Sequence, residues 1–229
     1  VPVRDAFVDL LLGGRCAGCD RPGVTLCGGC RRLLTGATPF RAWPDPRPAG
    51  LPPPTAAAPY ADQLRNVILA HKEHARYALA RPLGRLLADA VRTALGDRRA
   101  VWLCPVPSPR ATVRQRGHDP LRRITKAAVR SLCRQGIDAR AAAALRIVRR
   151  PDDQAGLSAE RRTANLDGAF AARSPWAETL IDQPVLLVDD VITTGSTLTE
   201  ASRALETAGV RVLGCAVLAA TARHRTSGS

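Results

Sequence analysis

An α/β fold built on a parallel sheet with helices on both faces, preceded by a small N-terminal metal knuckle or ribbon, is predicted by three features of the sequence. Residues 184–218 read strand, helix, strand. Residues 184–188 (PVLLV) are an apolar run, residues 197–208 have helical spacing with Gly209 at the C′ position, and residues 210–218 are again apolar. A strand with apolar residues on both faces suits a covered parallel sheet, and the strand–helix–strand order returns the second strand parallel to the first. The third feature is a pair of Cys-x2-Cys units near the start, at Cys16, Cys19, Cys27 and Cys30.

Composition sets the frame. The chain has 229 residues and 45% hydrophobic content, enough for one α/β core and a small satellite module. Lys+Arg 34 against Asp+Glu 20 gives a net charge of +14, and Lys72 and Lys126 are the only lysines. A basic surface attracts phosphates whatever its origin. Aromatics make up only 3%, which argues against a protein built around stacked bases. No apolar stretch reaches the roughly 18 residues of a membrane span. The mildly apolar start is interrupted by Asp5 and Asp9, unlike a signal-peptide core, so a cytoplasmic protein is expected.

Along the chain, residues 1–12 suit a short amphipathic helix and residues 13–36 hold the cysteine cluster. Residues 39–59 contain eight prolines, an extended and semi-rigid composition that predicts a linker. The expected division is therefore a zinc-binding module with its leading helix at 1–38, a linker at 39–59, the α/β domain at 60–220 and a flexible tail at 221–229. Within the α/β domain, residues 62–69, 77–95 and 120–134 have helical periodicity, and residues 100–106 and 145–148 suit short strands.

The four paired cysteines can close a tetrahedral thiolate site, with glycines permitting the tight turns. A structural Zn²⁺ site is expected, with a redox pair as the alternative. Arg15, Arg21, Arg31 and Arg32 then stand near the knuckle, where they would meet nucleic acid or solvent. Cys104, Cys133 and Cys215 lie in apolar segments and read as buried small hydrophobes. His71 and His74 read as surface histidines, and His118 stands beside a basic Arg-Gly run.

The sharpest motif runs from Val188 to Thr197 (VDDVITTGST). An apolar strand ends in Asp189 and Asp190, and a hydroxyl-rich turn then opens a helix. Unpaired amides at a helix start suit a phosphate, Gly195 permits close backbone approach, and Thr193, Thr194, Ser196 and Thr197 add donors. Asp189 and Asp190 are placed to accept from sugar hydroxyls or to hold Mg²⁺. The plainer alternative is a strand end followed by a capped helix. Residues 105–110 (PVPSPR) with Arg114 and Arg116 read, on their own, as a rigid turn and a solvated basic helix. Residues 154–165 read equally as a loop closing over a ligand, with Arg161 on phosphate, or as a helix start capped by Ser158.

The run DDVITTGST resembles the phosphoribosyl-pyrophosphate (PRPP) signature of type I phosphoribosyltransferases. The cysteine cluster, Pro105-Val106-Pro107, Arg114-Gln115-Arg116-Gly117, and Gln154-Ala155-Gly156-Leu157 with Glu160-Arg161 and Asn165 are similar to the ComF/GntX family, in that order along the chain. His118-Asp119 and Lys72-Glu73 depart from its usual residues. The resemblance implies a type I phosphoribosyltransferase-like core. Asp189 and Asp190 would contact the ribose hydroxyls as the catalytic pair, and Thr193, Thr194, Gly195, Ser196 and Thr197 would form the 5′-phosphate loop. Pro107, Ser108, Arg110, Arg114 and Arg116 would take the pyrophosphate side, with Mg²⁺ accompanying PRPP. It further implies a link to natural transformation, with competence-machinery proteins as partners, while the +14 charge and the zinc module favour nucleic acid, single-stranded DNA, on the basic surface.

Overall fold

The computed structural model describes residues 14–149 and 166–221. The expected leading helix, the 154–165 segment with Arg161, and nearly all of the expected tail lie outside the described residues. Helix α1 (Gly28–Thr35) follows the first cysteines. Strands β1 (Phe40–Arg41) and β2 (Pro54–Pro59) come next, then α2 (Asp62–Glu73), a 3-10 turn (Tyr77–Leu79) and α3 (Ala80–Leu95). Strand β3 (Ala100–Pro105) leads into α4 (Arg110–Arg116), α5 (Pro120–Arg134), β4 (Asp138–Ala141) and β5 (Leu145–Ile147). The remaining elements are β6 (Phe170–Ala172), α6 (Ser174–Leu180), β7 (Val185–Ile192), α7 (Ser196–Glu206) and β8 (Val212–Ala220).

The main sheet has the order β1-β2-β8-β7-β3-β4. Every neighbouring pair is parallel except β1 with β2. Side-chain alternation divides the core. Leu186, Val188, Leu103 and Leu218 face one side, where Leu83, Leu87 and Val91 of α3 and Ile124 and Leu132 of α5 cover them. Val185, Leu187, Cys104 and Val217 face the other, against Leu198, Ala201 and Leu205 of α7 and the β5–β6 ribbon. Helices α3 and α5 touch closely at Gly84, where a Cβ would stand 2.4 Å from the Ala127 Cβ.

The 39–59 stretch is not a free spacer. Its strand β2 lies inside the sheet, parallel to β8, with Ala56 and Ala57 fully buried. Proline is tolerated because Pro54 and Pro59 stand at the strand's two ends, where their carbonyls still accept. The Pro54 carbonyl accepts from Ala42 N at 3.0 Å, and the Pro53 carbonyl just upstream accepts from Cys215 N at 2.9 Å.

Two other expectations are corrected. His71 is buried, because α2 packs it against the start of α5, where its ring nitrogens meet the carbonyls of Arg76 and Pro120. Cys133 is exposed near the end of α5, although Cys104 and Cys215 are buried as expected. Burial pushes the Cys104 thiol up to about 12 and raises Cys215 as well.

Candidate functional site

Strand β7 continues past its apolar run, so Asp189 and Asp190 lie within it rather than beyond its end. Pairing with β8 extends it, with Asp189 opposite Val217 and Val191 opposite Ala219. Asp189 Oδ1 accepts from the Asp190 amide at 2.8 Å, and Asp190 Oδ1 accepts from the Val191 amide at 2.8 Å. The other Asp190 oxygen accepts from Lys72 Nζ, at the end of α2, in a largely buried ion pair. Burial and then the neighbouring Asp190 charge push the Asp189 carboxyl up to about 8. Burial acts to lower the Lys72 ammonium, but the Asp190 charge, the hydrogen bond to Asp190 and the Asp189 charge together outweigh it and hold the group above its ordinary range.

The turn after β7 is tightly supported. Gly195 has φ +79°, and a Cβ there would stand 2.9 Å from Leu51 Cδ2 and 3.3 Å from Pro44 Cγ. The close approach that requires glycine is therefore to the proline-rich stretch. Thr194 Oγ1 and Ser196 Oγ are 3.0 Å apart and share a hydrogen bond. Helix α7 begins at Ser196, one residue before the position expected from sequence.

Asp189, Asp190 and Thr197 line a cavity of about 160 Å³ with Pro107, Ser108 and Arg116. Lys72 lines it too. Arg116 is held by two hydrogen bonds to Glu73, at 2.6 and 3.0 Å. Arg110 and Arg114 instead line an adjoining cavity of about 450 Å³, which shares the Val106–Ser108 wall. Thr193, Thr194, Gly195 and Ser196 form the neighbouring turn and line neither of these two cavities. Lys72 and Glu73 are the residues sequence reasoning missed as site residues. The available signal was a lysine in an almost wholly arginine-based chain, at the last turn of an amphipathic helix.

The raised Asp189 carboxyl has a measurable consequence. A carboxyl whose proton is held more tightly when folded lends stability that is complete below its ordinary value near 3.8 and is lost as pH rises toward 8. Asp189→Asn keeps an acceptor at Oδ1 without a titrating proton. It is expected to raise stability at pH 8 by about 1–2 kcal/mol and to leave it nearly unchanged at pH 4. Urea melts at the two pH values check this, and an equal effect at both would contradict it.

The second cluster is the cysteine knuckle. The Sγ atoms of Cys16, Cys19, Cys27 and Cys30 all lie within 4.8 Å of one another, a set that can hold a metal such as zinc. The Cys27 amide donates to Cys16 Sγ at 3.3 Å, and the Cys30 amide donates to Cys27 Sγ at 3.4 Å. Burial alone would raise the Cys16 thiol, but the amides of Cys27, Cys19 and Gly18 bring it down to about 6. Burial and the three neighbouring thiols raise Cys30. A cation resolves this contest by making all four sulfurs thiolate. The knuckle rests on the main domain: Cys16, Leu26, Cys30 and Leu34 share one core with Leu64 and Leu83. Asn66 Nδ2 and Arg76 Nη1 donate to the carbonyls of Gly18 and Arg15.

Residues 132–227 match the family model described as phosphoribosyl transferase domain. That span carries β7, α7 and β8, and with them the acidic pair and the hydroxyl-rich turn. The match to a phosphoribosyl transferase domain agrees with the mostly parallel sheet. No curated protein matches the chain. Among the described residues, no helix is long and apolar enough to cross a membrane.

Proposed function

We propose that the chain binds PRPP, or a closely related phosphorylated sugar or nucleotide, and transfers the phosphoribosyl group to a nitrogen acceptor. The observation that carries this reading is the Asp189–Asp190 pair near the carboxyl end of a parallel strand, on one cavity with Ser108, Lys72, Arg116 and Thr197. Ligands of open α/β sheets bind at that end. The turn from Thr193 to Thr197 takes the 5′-phosphate. Asp190 accepts from a ribose hydroxyl, and Asp189 meets the other. Ser108 and Arg116 face the diphosphate, and Arg110 and Arg114 extend the positive wall beyond it. As the C1–oxygen bond to pyrophosphate breaks, positive charge grows on the ribose ring, and the Asp190 carboxylate stabilises it. The acceptor nitrogen then forms the new bond to C1.

Mg²⁺ does not fit a site made by these carboxylates alone. Asp190 already holds the Lys72 ammonium, whose charge opposes a second cation beside it. Mg²⁺ would instead accompany the ligand and offset the charge of its diphosphate. The four thiols do fit a structural Zn²⁺, and we assign them to it. A ComF/GntX-type role in DNA uptake, and a cytoplasmic location, belong to the same reading.

Titration calorimetry with PRPP and Mg²⁺ tests it. The wild type is expected to bind at about micromolar Kd, and Asp189→Asn/Asp190→Asn to lose at least about 100-fold. No binding to the folded, zinc-loaded chain would leave a second reading, favoured by the +14 charge. In that reading the fold is a scaffold for nucleic acid.

A further inference from the structure

A cavity of about 570 Å³ lies outside the acidic site, where the first turn of α3 and the 3-10 turn before it meet the exposed face of α5. Arg81, Arg122, Arg123, Lys126 and Arg130 line it, with Asp119 as the single lining carboxylate. Asp119 already accepts from the Arg122 amide at 3.0 Å as the cap of α5. Among the described residues, no carboxylate forms an ion pair with any of the five cations. Five like charges on one cavity, offset by the single carboxylate of Asp119, raise the energy of the free protein, and an anion relieves it.

We propose that this cavity is a second anion site, which takes a linear condensed phosphate chain of about three phosphates. Arg122, Lys126 and Arg130 recur at four-residue intervals on α5, so their row extends about 12 Å along the axis. An extended triphosphate fits within that row, with Arg123 and Arg81 flanking it. The volume falls in the range of small-ligand sites, about 300–1,000 Å³. The aromatic ring facing solvent here is Tyr77. The Arg123 guanidinium already lies 4.4 Å from its centroid, and His118 meets it edge-on at 4.8 Å. That ring is already engaged by Arg123 and His118, so recognition rests on charge, and a stacked single strand is the less suited occupant. The proposal does not depend on PRPP binding at Asp189 and Asp190.

The test is calorimetric titration of inorganic tripolyphosphate into the full zinc-loaded chain at physiological salt. One-to-one binding is expected, weakened at least about tenfold by Lys126→Glu/Arg130→Glu and about threefold by Lys126→Gln/Arg130→Gln. Asp189→Asn/Asp190→Asn should leave it within about twofold. Circular dichroism checks that the exposed-face variants are folded. A nucleoside triphosphate that binds as tightly as tripolyphosphate, and is lost in the same variants, supports the site and assigns recognition to its phosphate tail. Tripolyphosphate binding that survives both Lys126/Arg130 variants overturns the proposal, since the anion then sits elsewhere. A weak effect matched by sulfate at equal ionic strength also overturns it. So does a single-stranded oligonucleotide that binds through Lys126 and Arg130 where tripolyphosphate does not.

Discussion

Removing the Zn²⁺ proposed for the cysteine knuckle is expected to lower the melting temperature of the whole chain by about 10 °C or more, because the knuckle is part of the main core. Cys16, Cys27 and Cys30 are buried in the same cluster as Val67, Ile68 and Leu83, so opening the knuckle uncovers one face of α2 and α3. A structural zinc site contributes folding free energy directly, and a loss of about 4 kcal/mol corresponds to roughly 10 °C in a domain of this size. Cys27→Ser/Cys30→Ser should match the effect of a strong chelator, and the chelator should add nothing to that variant. Thermal melts followed in the far ultraviolet read the whole fold. A melt that chelation leaves unchanged would mean that packing, not metal, holds the four thiols together.

The second large effect centres on Lys72. Lys72→Met leaves the buried Asp190 facing Asp189 without its ammonium partner. Breaking one half of a buried ion pair is costly, and about 2–3 kcal/mol of stability is expected to go. Phosphorylated-sugar binding is expected to fall by about 10- to 100-fold, through the positive charge lost from the cavity wall. Lys72→Arg keeps the charge and should recover most of the stability. It should recover less of the binding, because a planar guanidinium does not occupy the space of an ammonium. Denaturant melts and calorimetry on both variants separate the two losses. Wild-type binding by Lys72→Met would remove Lys72 from the site.

What the sequence revealed followed from local chemistry. The β7–α7–β8 unit was legible because apolar runs on both faces leave little alternative to a covered parallel strand. The acidic pair and the turn after it were legible because they are contiguous, and the four cysteines because thiol spacing is diagnostic. Much of the rest depended on distant partners. Strand β7 gains Asp189 to Ile192 from pairing with β8, which its own apolar run does not signal. Lys72 reaches Asp190 across 118 positions, and Arg116 reaches Glu73 across 43. Strand β2 was obscured by its prolines, whose cost vanishes at the strand's ends. Strand β4 (DARA) has one buried residue in four, too weak a pattern to stand out. His71 looked like a surface residue because nothing local shows that α5 begins over its ring.

Strand β2 has a consequence for how this protein can be divided. It covers one side of β8, whose last seven residues are buried. A chain cut at residue 60, where composition suggests a boundary, would expose that long apolar edge as a template for a strand from another molecule. It would also take Leu51 and Pro44 from behind Gly195, loosening the turn next to the acidic pair. The proline-rich stretch thus acts as a guard strip against self-association. A fragment that keeps the sheet monomeric has to begin before residue 40, so it retains both the guard and the backing of the turn.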